Sequence, residues 1–344
     1  MGKNITMKDV AMQLGVSTVT VSKALSNREG VSEAVRTMIK QKADEMGYRY
    51  NTMAKSMKDG MNYNIGILVA EQFMHESAFY SKMYQQLMKD LMALQFFGIL
   101  EVISEEAEKN GILPHVLQNN KVDGLILLGQ MRRSYLERIE AAGLPFIFLD
   151  FNDDHFQVDT IVSDSFYGAY ELTNYLISLG HTRIGFVGTI NATGSIMDRY
   201  IGYYKALLKN GIRVREEWIL KDRDEDGSFV DFVLPANMPT AFVCNCDEVA
   251  YYFIQELKRS GYRVPEDISV VGYDNYIHAT LSSPQITTVE VDVEVMSESA
   301  VNSIIKRIKN THQECGRKVI SGRIVLRDSA GPAPRNITGK GIDK

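Results

Sequence analysis

Five polar side chains fall where a chain of alternating strands and helices would bring them together. Asp150 closes the apolar run FIFLD and Asp274 closes SVVGYD. Asp247 follows TAFVCN at the start of a helical stretch, a place where an acid also serves as a cap. Ser195 and Arg199 lie one helical turn apart just after RIGFVG, so they share a face. Taken singly, the arginine reads as a surface ion pair and Asp247 as a cap; together, at strand ends, the five suit a polar ligand with hydroxyls to offer. Catalysis has no comparable constellation. G-x-S-x-G, H-E-x-x-H and P-loop motifs are absent, and Gly185, Gly188 and Gly194 do not form a dinucleotide fingerprint. DRDEDG places Asp222, Asp224, Asp226 and Gly227 at the spacing of a calcium loop. Its twelfth position is Val233, where a bidentate Glu is needed. Cys244 and Cys246 lack metal-ligand spacing and read as buried strand thiols. No metal, cofactor or enzymatic activity is expected.

The elements that would position these groups follow from the apolar pattern. Short runs at 65–70, 98–103, 124–129, 146–150, 183–188, 240–245 and 267–274 read as buried parallel strands. Helical stretches at 79–94, 134–142, 165–179, 198–210 and 247–260 separate them, several closed by a glycine (Gly143, Gly180, Gly211, Gly261). Such alternation implies parallel sheets flanked by helices, and the strands divide into two groups near Val162. The expected fold class is α/β with two doubly wound parallel-sheet subdomains. Ligands in such sheets bind beyond the carboxyl ends of the strands, where the five residues stand.

The first sixty residues follow another pattern. Met7, Val10, Ala11 and Leu14 lie at helical spacing, Thr6 and Asp9 form a capping box, and Gly15 ends the turn. Ser17 caps a second helix, Thr18 to about Leu25, that buries Val21, Ala24 and Leu25. Ser32 caps a third, burying Val35, Ile39 and Ala43 and stopping near Gly47. Two helices joined by a three-residue turn form a helix-turn-helix. The second helix exposes Ser17, Thr18, Val19, Ser22 and Lys23, short-chained and free of acids, as a groove-reading surface must be. Thr18 and Val19 can touch thymine methyls and Lys23 can donate to guanine. Charge agrees. Residues 1–60 hold ten Lys or Arg against six Asp or Glu, a net +4, so the other 284 carry −9 of the total −5. A basic head on an acidic body fits a double-stranded DNA partner for the head. A helical bundle for protein contact is the competing reading.

MKDVAMQLGVSTVTVSKALSN, followed by GYRYNTMAKSMKDG, resembles the lactose-repressor (LacI/GalR) family of bacterial transcription regulators, and the resemblance covers almost the whole chain. It implies a periplasmic-binding-protein-like body and adds Asn27 to the DNA contacts. It also implies a hinge helix over Asn51 to Lys58, with Ala54 and Lys58 at the DNA and Met57 as the minor-groove wedge, where leucine is usual. DRYIGY carries the arginine that grips the effector, here Arg199, with Ser195 one turn ahead; VVGYDN supplies Asp274. Phe79 and Tyr80 are the aromatic contacts, Asp150 and Phe151 line the same cleft, and a loop brings Asp224 near. The family often reads Asn-Asp where this chain has Cys246-Asp247, so one amide partner for a hydroxyl is missing. The domains expected are 1–50, a hinge at 51–61 and a body at 62–335, subdivided into 62–162 with 292–322 and 163–291 with 323–335.

These readings describe a DNA-binding transcriptional regulator controlled by a small-molecule effector. A sugar or sugar derivative is expected, with a nucleobase or nucleoside as the alternative. A pure solute-binding protein and a hydrolase on a similar fold are the readings from other classes. The N-terminus MGKNITMKDV lacks an apolar export segment, and the three cysteines are sparse, so a cytoplasmic protein is expected with no membrane association. No heptad run follows Arg327, which favours homodimers on a pseudo-palindromic operator.

Overall fold

The computed structural model describes residues 5–26, 29–48, 59–73, 78–224, 227–310 and 316–334. Two compact units divide the chain, Met1–Asn62 and Tyr63–Lys344.

In the first unit, helices α1 (Met7–Leu14), α2 (Thr18–Leu25) and α3 (Glu33–Glu45) enclose a small core. Val10, Val21, Ala24 and Ile39 are fully buried there. Both halves of the capping box form: the Asp9 amide donates to Thr6 Oγ1, and the Thr6 amide donates to Asp9 Oδ2 at 2.8 Å. Gly15 takes the left-handed conformation (φ 64°) that turns the chain into α2. Ser17 accepts from the Thr20 amide at 3.0 Å. Ser32 occupies the cap position of α3 but makes no side-chain cap bond, contrary to expectation. The cation that matters here is one the sequence pattern passes over. Arg36 of α3 donates to the Lys23 and Ala24 carbonyls, satisfying the open end of α2.

The second unit holds twelve strands among its described residues: β1 (Asn64–Ala70), β2 (Phe97–Ile103), β3 (Gly124–Leu128), β4 (Phe146–Leu149), β5 (Thr160–Ser163), β6 (Ile184–Val187), β7 (Ile219–Leu220), β8 (Ala241–Cys244), β9 (Ser269–Val271), β10 (Thr288–Glu290), β11 (Arg317–Ile320) and β12 (Arg323–Val325). Its helices are α4 (Ala78–Ala93), α5 (Glu105–Asn110), α6 (His115–Gln118), α7 (Arg133–Ala141), α8 (Ser165–Ser178), α9 (Gly194–Lys209), α10 (Asp247–Arg259), α11 (Ile277–Leu281) and α12 (Val293–Lys309). None of the described helices is long and apolar enough to cross a membrane.

One sheet runs β11-β5-β4-β3-β1-β2 and a second runs β7-β6-β8-β9, every neighbouring pair parallel. In both, the strand order reverses beside the first strand, between β1 and β3 and between β6 and β8, which opens a crevice at the strand ends. β10 and β12 pair antiparallel, and Asp274 bridges Glu290 beside them. The chain therefore passes between the two sheet systems near 164, near 291 and near 322. Local periodicity does not announce β5, β7 or the last three strands; they are two to four residues long and exist by virtue of their neighbours.

The second sheet is braced at one very close contact. A Cβ on Gly202 of α9 would stand 2.1 Å from the Phe166 carbonyl oxygen of α8, so only glycine permits this approach. α9 is thereby held against α8 with Arg199 one turn before the contact.

Candidate functional site

Strand ends from both sheets meet at a cavity of about 110 Å³, and it opens toward a wider cleft of about 730 Å³. Gln72, Phe73, Thr193 and Arg223 border both spaces. The first sheet contributes Asp150 from the end of β4, with Phe79 and Tyr80 of α4; the second contributes Ser195 and Arg199 of α9 and Asp274 beyond β9.

Arg199 is buried, not the surface ion pair that its residue type alone suggests. Its Nη2 donates to Asp274 Oδ1 at 3.2 Å, its Nη1 to the Asn245 carbonyl at 2.5 Å and its Nε to Ser165 Oγ at 3.3 Å. The guanidinium carbon lies 3.9 Å from the Tyr273 ring centroid, an additional cation–π contact. Across the cavity, Tyr80 donates its hydroxyl to Asp150 Oδ2 at 2.9 Å. Burial pushes the Asp150 carboxyl up to about 6, against the lowering effect of Arg199 and the Tyr80 bond. Asp274 also rises to about 6 through burial, opposed by Arg199 and reinforced by the charge of Asp150. Both aspartates sit at positive φ, 67° and 102°, a costly backbone state for a non-glycine residue that recurs at binding sites.

Several expected residues stand elsewhere. Phe151 packs into the core under the first sheet, its ring centroid 4.4 Å from that of Phe148. The left-handed turn at Asp150 separates the two neighbours, sending the acid to the cavity and the ring to the core. Asp247 is buried beneath the cavity, where its Oδ2 accepts from the Tyr276 amide at 3.0 Å and its own amide donates to the Tyr273 carbonyl. It ties α10 to the loop after β9. Asp224 lines the wider cleft rather than the inner cavity, and its Oδ1 accepts from the Ser228 amide at 3.0 Å. Asp222, first residue of the calcium-like run, is fully buried and accepts from Thr189, Arg223 and Asn245.

Cys246, read from sequence as a buried strand thiol, follows β8 and lines the cavity beside Asn245, Arg223 and Glu248. Applying the strand-end rule to TAFVCN would have drawn attention to Asn245. Arg223 and Glu248 carry no comparable local signal.

In the head, Ser17, Thr18, Val19 and Lys23 are exposed on α2 and Ser22 is half-buried beside them, leaving an uninterrupted acid-free face. Asn27, Ala54, Met57 and Lys58 lie outside the described residues.

Residues 6–51 match the family described as bacterial regulatory proteins, lacI family, and residues 173–330 match a periplasmic binding protein-like domain. The HTH-type transcriptional repressor PurR of Aliivibrio salmonicida (strain LFI1238) is 30% identical over 316 residues, covering 90% of this chain and 94% of that protein. Its namesake from Pectobacterium carotovorum subsp. carotovorum (strain PC1) is 28% identical over 336 residues, 96% of this chain and 98% of its own. Among solved structures, the transcriptional regulator CelR–cellobiose complex superposes with a TM-score of 0.69 at 26% identity, covering 95% of this chain and all (100%) of the other. The lac repressor dimer bound to operator and the anti-inducer ONPF shares the fold, with a TM-score of 0.71 at 23% identity over 96% of this chain and 100% of that one. Since likeness at this level runs through head and body alike, the chain belongs to the LacI family of bacterial regulatory proteins and is a DNA-binding transcriptional regulator controlled by a small-molecule effector.

Proposed function

We propose that the effector is a neutral, hydroxyl-rich molecule, a sugar or sugar derivative, gripped by Arg199, Asp274 and Asp150. The observation that carries this reading is the excess of acceptors in the inner cavity. Asp150, Asp274 and Glu248 all border it, while the two cations there, Arg199 and Arg223, direct most of their donors to protein oxygens. A ligand must therefore bring its own donors, which hydroxyls do, and an anionic ligand would meet three carboxylates. Phe79 and Tyr80 supply ring contact, Ser195 a further hydroxyl, and Asp224 acts from the outer cleft. Asp247 and Phe151 support the site from below.

The effector acts by favouring one arrangement of two subdomains, 62–162 with 292–322 and 163–291 with 323–335. The chain works as a homodimer that places two copies of α2 on a pseudo-palindromic operator. Ser17, Thr18, Val19, Ser22, Lys23 and Asn27 face the bases, and Ala54, Met57 and Lys58 lie along the hinge. The named complexes of CelR with cellobiose and of the lac repressor with operator are consistent with this scheme.

A thermal-shift screen of neutral sugars, sugar phosphates, nucleobases and nucleosides tests the ligand class. Stabilisation by a neutral sugar, lost in Arg199→Ala, is the expected result. Stabilisation by nucleobases alone would replace the sugar with the alternative whose recognition rests on ring stacking.

A further inference from the structure

The outer face of α9 carries apolar side chains that the body leaves uncovered. Met197, Ile201, Tyr204 and Leu208 recur at i, i+4, i+7 and i+11, which places them on one stripe. They are 39%, 44%, 44% and 65% exposed, although the opposite face of the helix is core. The stripe is rigidly presented. Gly202 locks α9 to α8, and the Tyr204 ring packs 6.3 Å from Tyr200, which meets the buried Phe186 edge-on at 5.4 Å. A face already ordered loses little entropy on docking.

Charge is confined to one flank. Asp198, Lys205 and Lys209 follow each other along that side, whereas half-buried Tyr200 and buried Leu207 border the other. Asp198 reaches Arg317 at 3.8 Å in a partly exposed pair, Lys205 lies over the Phe166 and Tyr170 rings, and Lys209 donates to the Tyr170 hydroxyl. All three retain solvent-facing capacity.

This pattern is self-complementary in one arrangement. Two α9 helices set antiparallel about a two-fold midway between positions 201 and 204 bring Met197 against Leu208 of the second copy and Ile201 against its Tyr204. The two-fold sets the charged flanks side by side. Asp198 then falls opposite position 207 of the second copy, between its Lys205 and Lys209, and the pairing occurs twice. Such an isologous contact closes on itself. The charges set its register while the apolar stripe supplies most of the binding. We propose that α9 docks antiparallel on α9 of a second copy of this chain, whichever other face also pairs the chains.

Sedimentation velocity on the full chain over a range of concentrations tests this. Ile201→Glu should halve the largest mass reached by the wild type. Asp198→Lys alone, and Lys205→Asp with Lys209→Asp, should each lose the same association through like-charge contacts. Mixing the two charge variants should restore it, since their flanks complement each other across the two-fold. Circular dichroism and binding to a single operator verify that each variant is folded. Equal masses for wild type and Ile201→Glu at every concentration would overturn the contact, as would charge variants that stay associated or a mixture that does not recover.

Discussion

Arg199 has two roles that a single substitution will expose together. It closes the cavity floor, and it neutralises a largely buried carboxylate, its partner Asp274 at 3.2 Å. Arg199→Ala is expected to weaken the effector roughly 10- to 150-fold, the worth of one charge-assisted hydrogen bond. Removing one member of a buried pair should also lower stability by about 3–5 kcal/mol. Calorimetric titration with the effector and denaturant unfolding check the two effects separately. The aspartates give a second expectation. Their folded-state values near 6 exceed the ordinary carboxylate value of 3.8, so the folded chain binds protons more readily than the unfolded one. Stability from this pair is therefore fully present below about 4 and declines as pH rises to about 6. On the proposed reading, effector affinity should move the opposite way, because ligand hydroxyls would donate to the ionised carboxylates. Affinity measured from pH 7.5 down to about 5 should fall, and Asp150→Asn should flatten that profile. An affinity independent of pH would remove these carboxylates from ligand contact.

At the scale of elements, the close packing of α8 and α9 is the fragile joint. Gly202→Ala puts a methyl group into a backbone carbonyl, and overpacking of this kind costs about 1–3 kcal/mol. Thermal unfolding should report that loss, and the effector should bind less tightly because α9 carries Arg199 and Ser195. A melting temperature unchanged by the methyl would mean that the helices separate freely. In the head, α2 is braced by Arg36 and capped by Ser17, so its exposed face can be altered without unfolding it. Lys23→Ala should cost about 1–3 kcal/mol of specific affinity and relax base preference near one operator position. Gel shifts on a set of singly substituted operators measure this. Uniform weakening on every sequence would make Lys23 a phosphate contact.

For the whole molecule, the separation into Met1–Asn62 and Tyr63–Lys344 has a thermodynamic consequence. All described residues that line the cavity belong to the second unit, so ligand binding is expected to stabilise that unit. Effector at 100 times its dissociation constant should add about 2.7 kcal/mol to the unfolding of the body and leave the head transition in place. Differential scanning calorimetry distinguishes this from an equal shift of both transitions, which would mean cooperative unfolding. On the proposed reading, control of DNA binding then rests on the differential affinity of the effector for two states of the body.

Much of this was legible from residues near one another in the chain. The helix-turn-helix follows from the Thr6–Asp9 box, Gly15 and the apolar spacing of α1 and α2, all set within one or two turns. The main strands and helices follow from runs of apolar residues, and Asp150, Arg199 and Asp274 follow from their place at strand ends. What the sequence by itself could not determine is side-chain direction beyond a strand end, and which distant segments pair. Phe151 and Asp247 were expected in the cleft; a left-handed backbone at Asp150 and a hydrogen bond to the Tyr276 amide turn them inward. Its own spacing reads Cys246 as a buried strand thiol, and only the family resemblance sets it where an amide often stands; the chain leaves β8 before it, and it lines the cavity. β11 joins β5 across more than 150 residues, and the buried anchoring of Arg199 needs a carbonyl 46 positions away. Periodicity records the local chain, whereas these contacts exist only once both sheets have formed, so tertiary structure alone decided them.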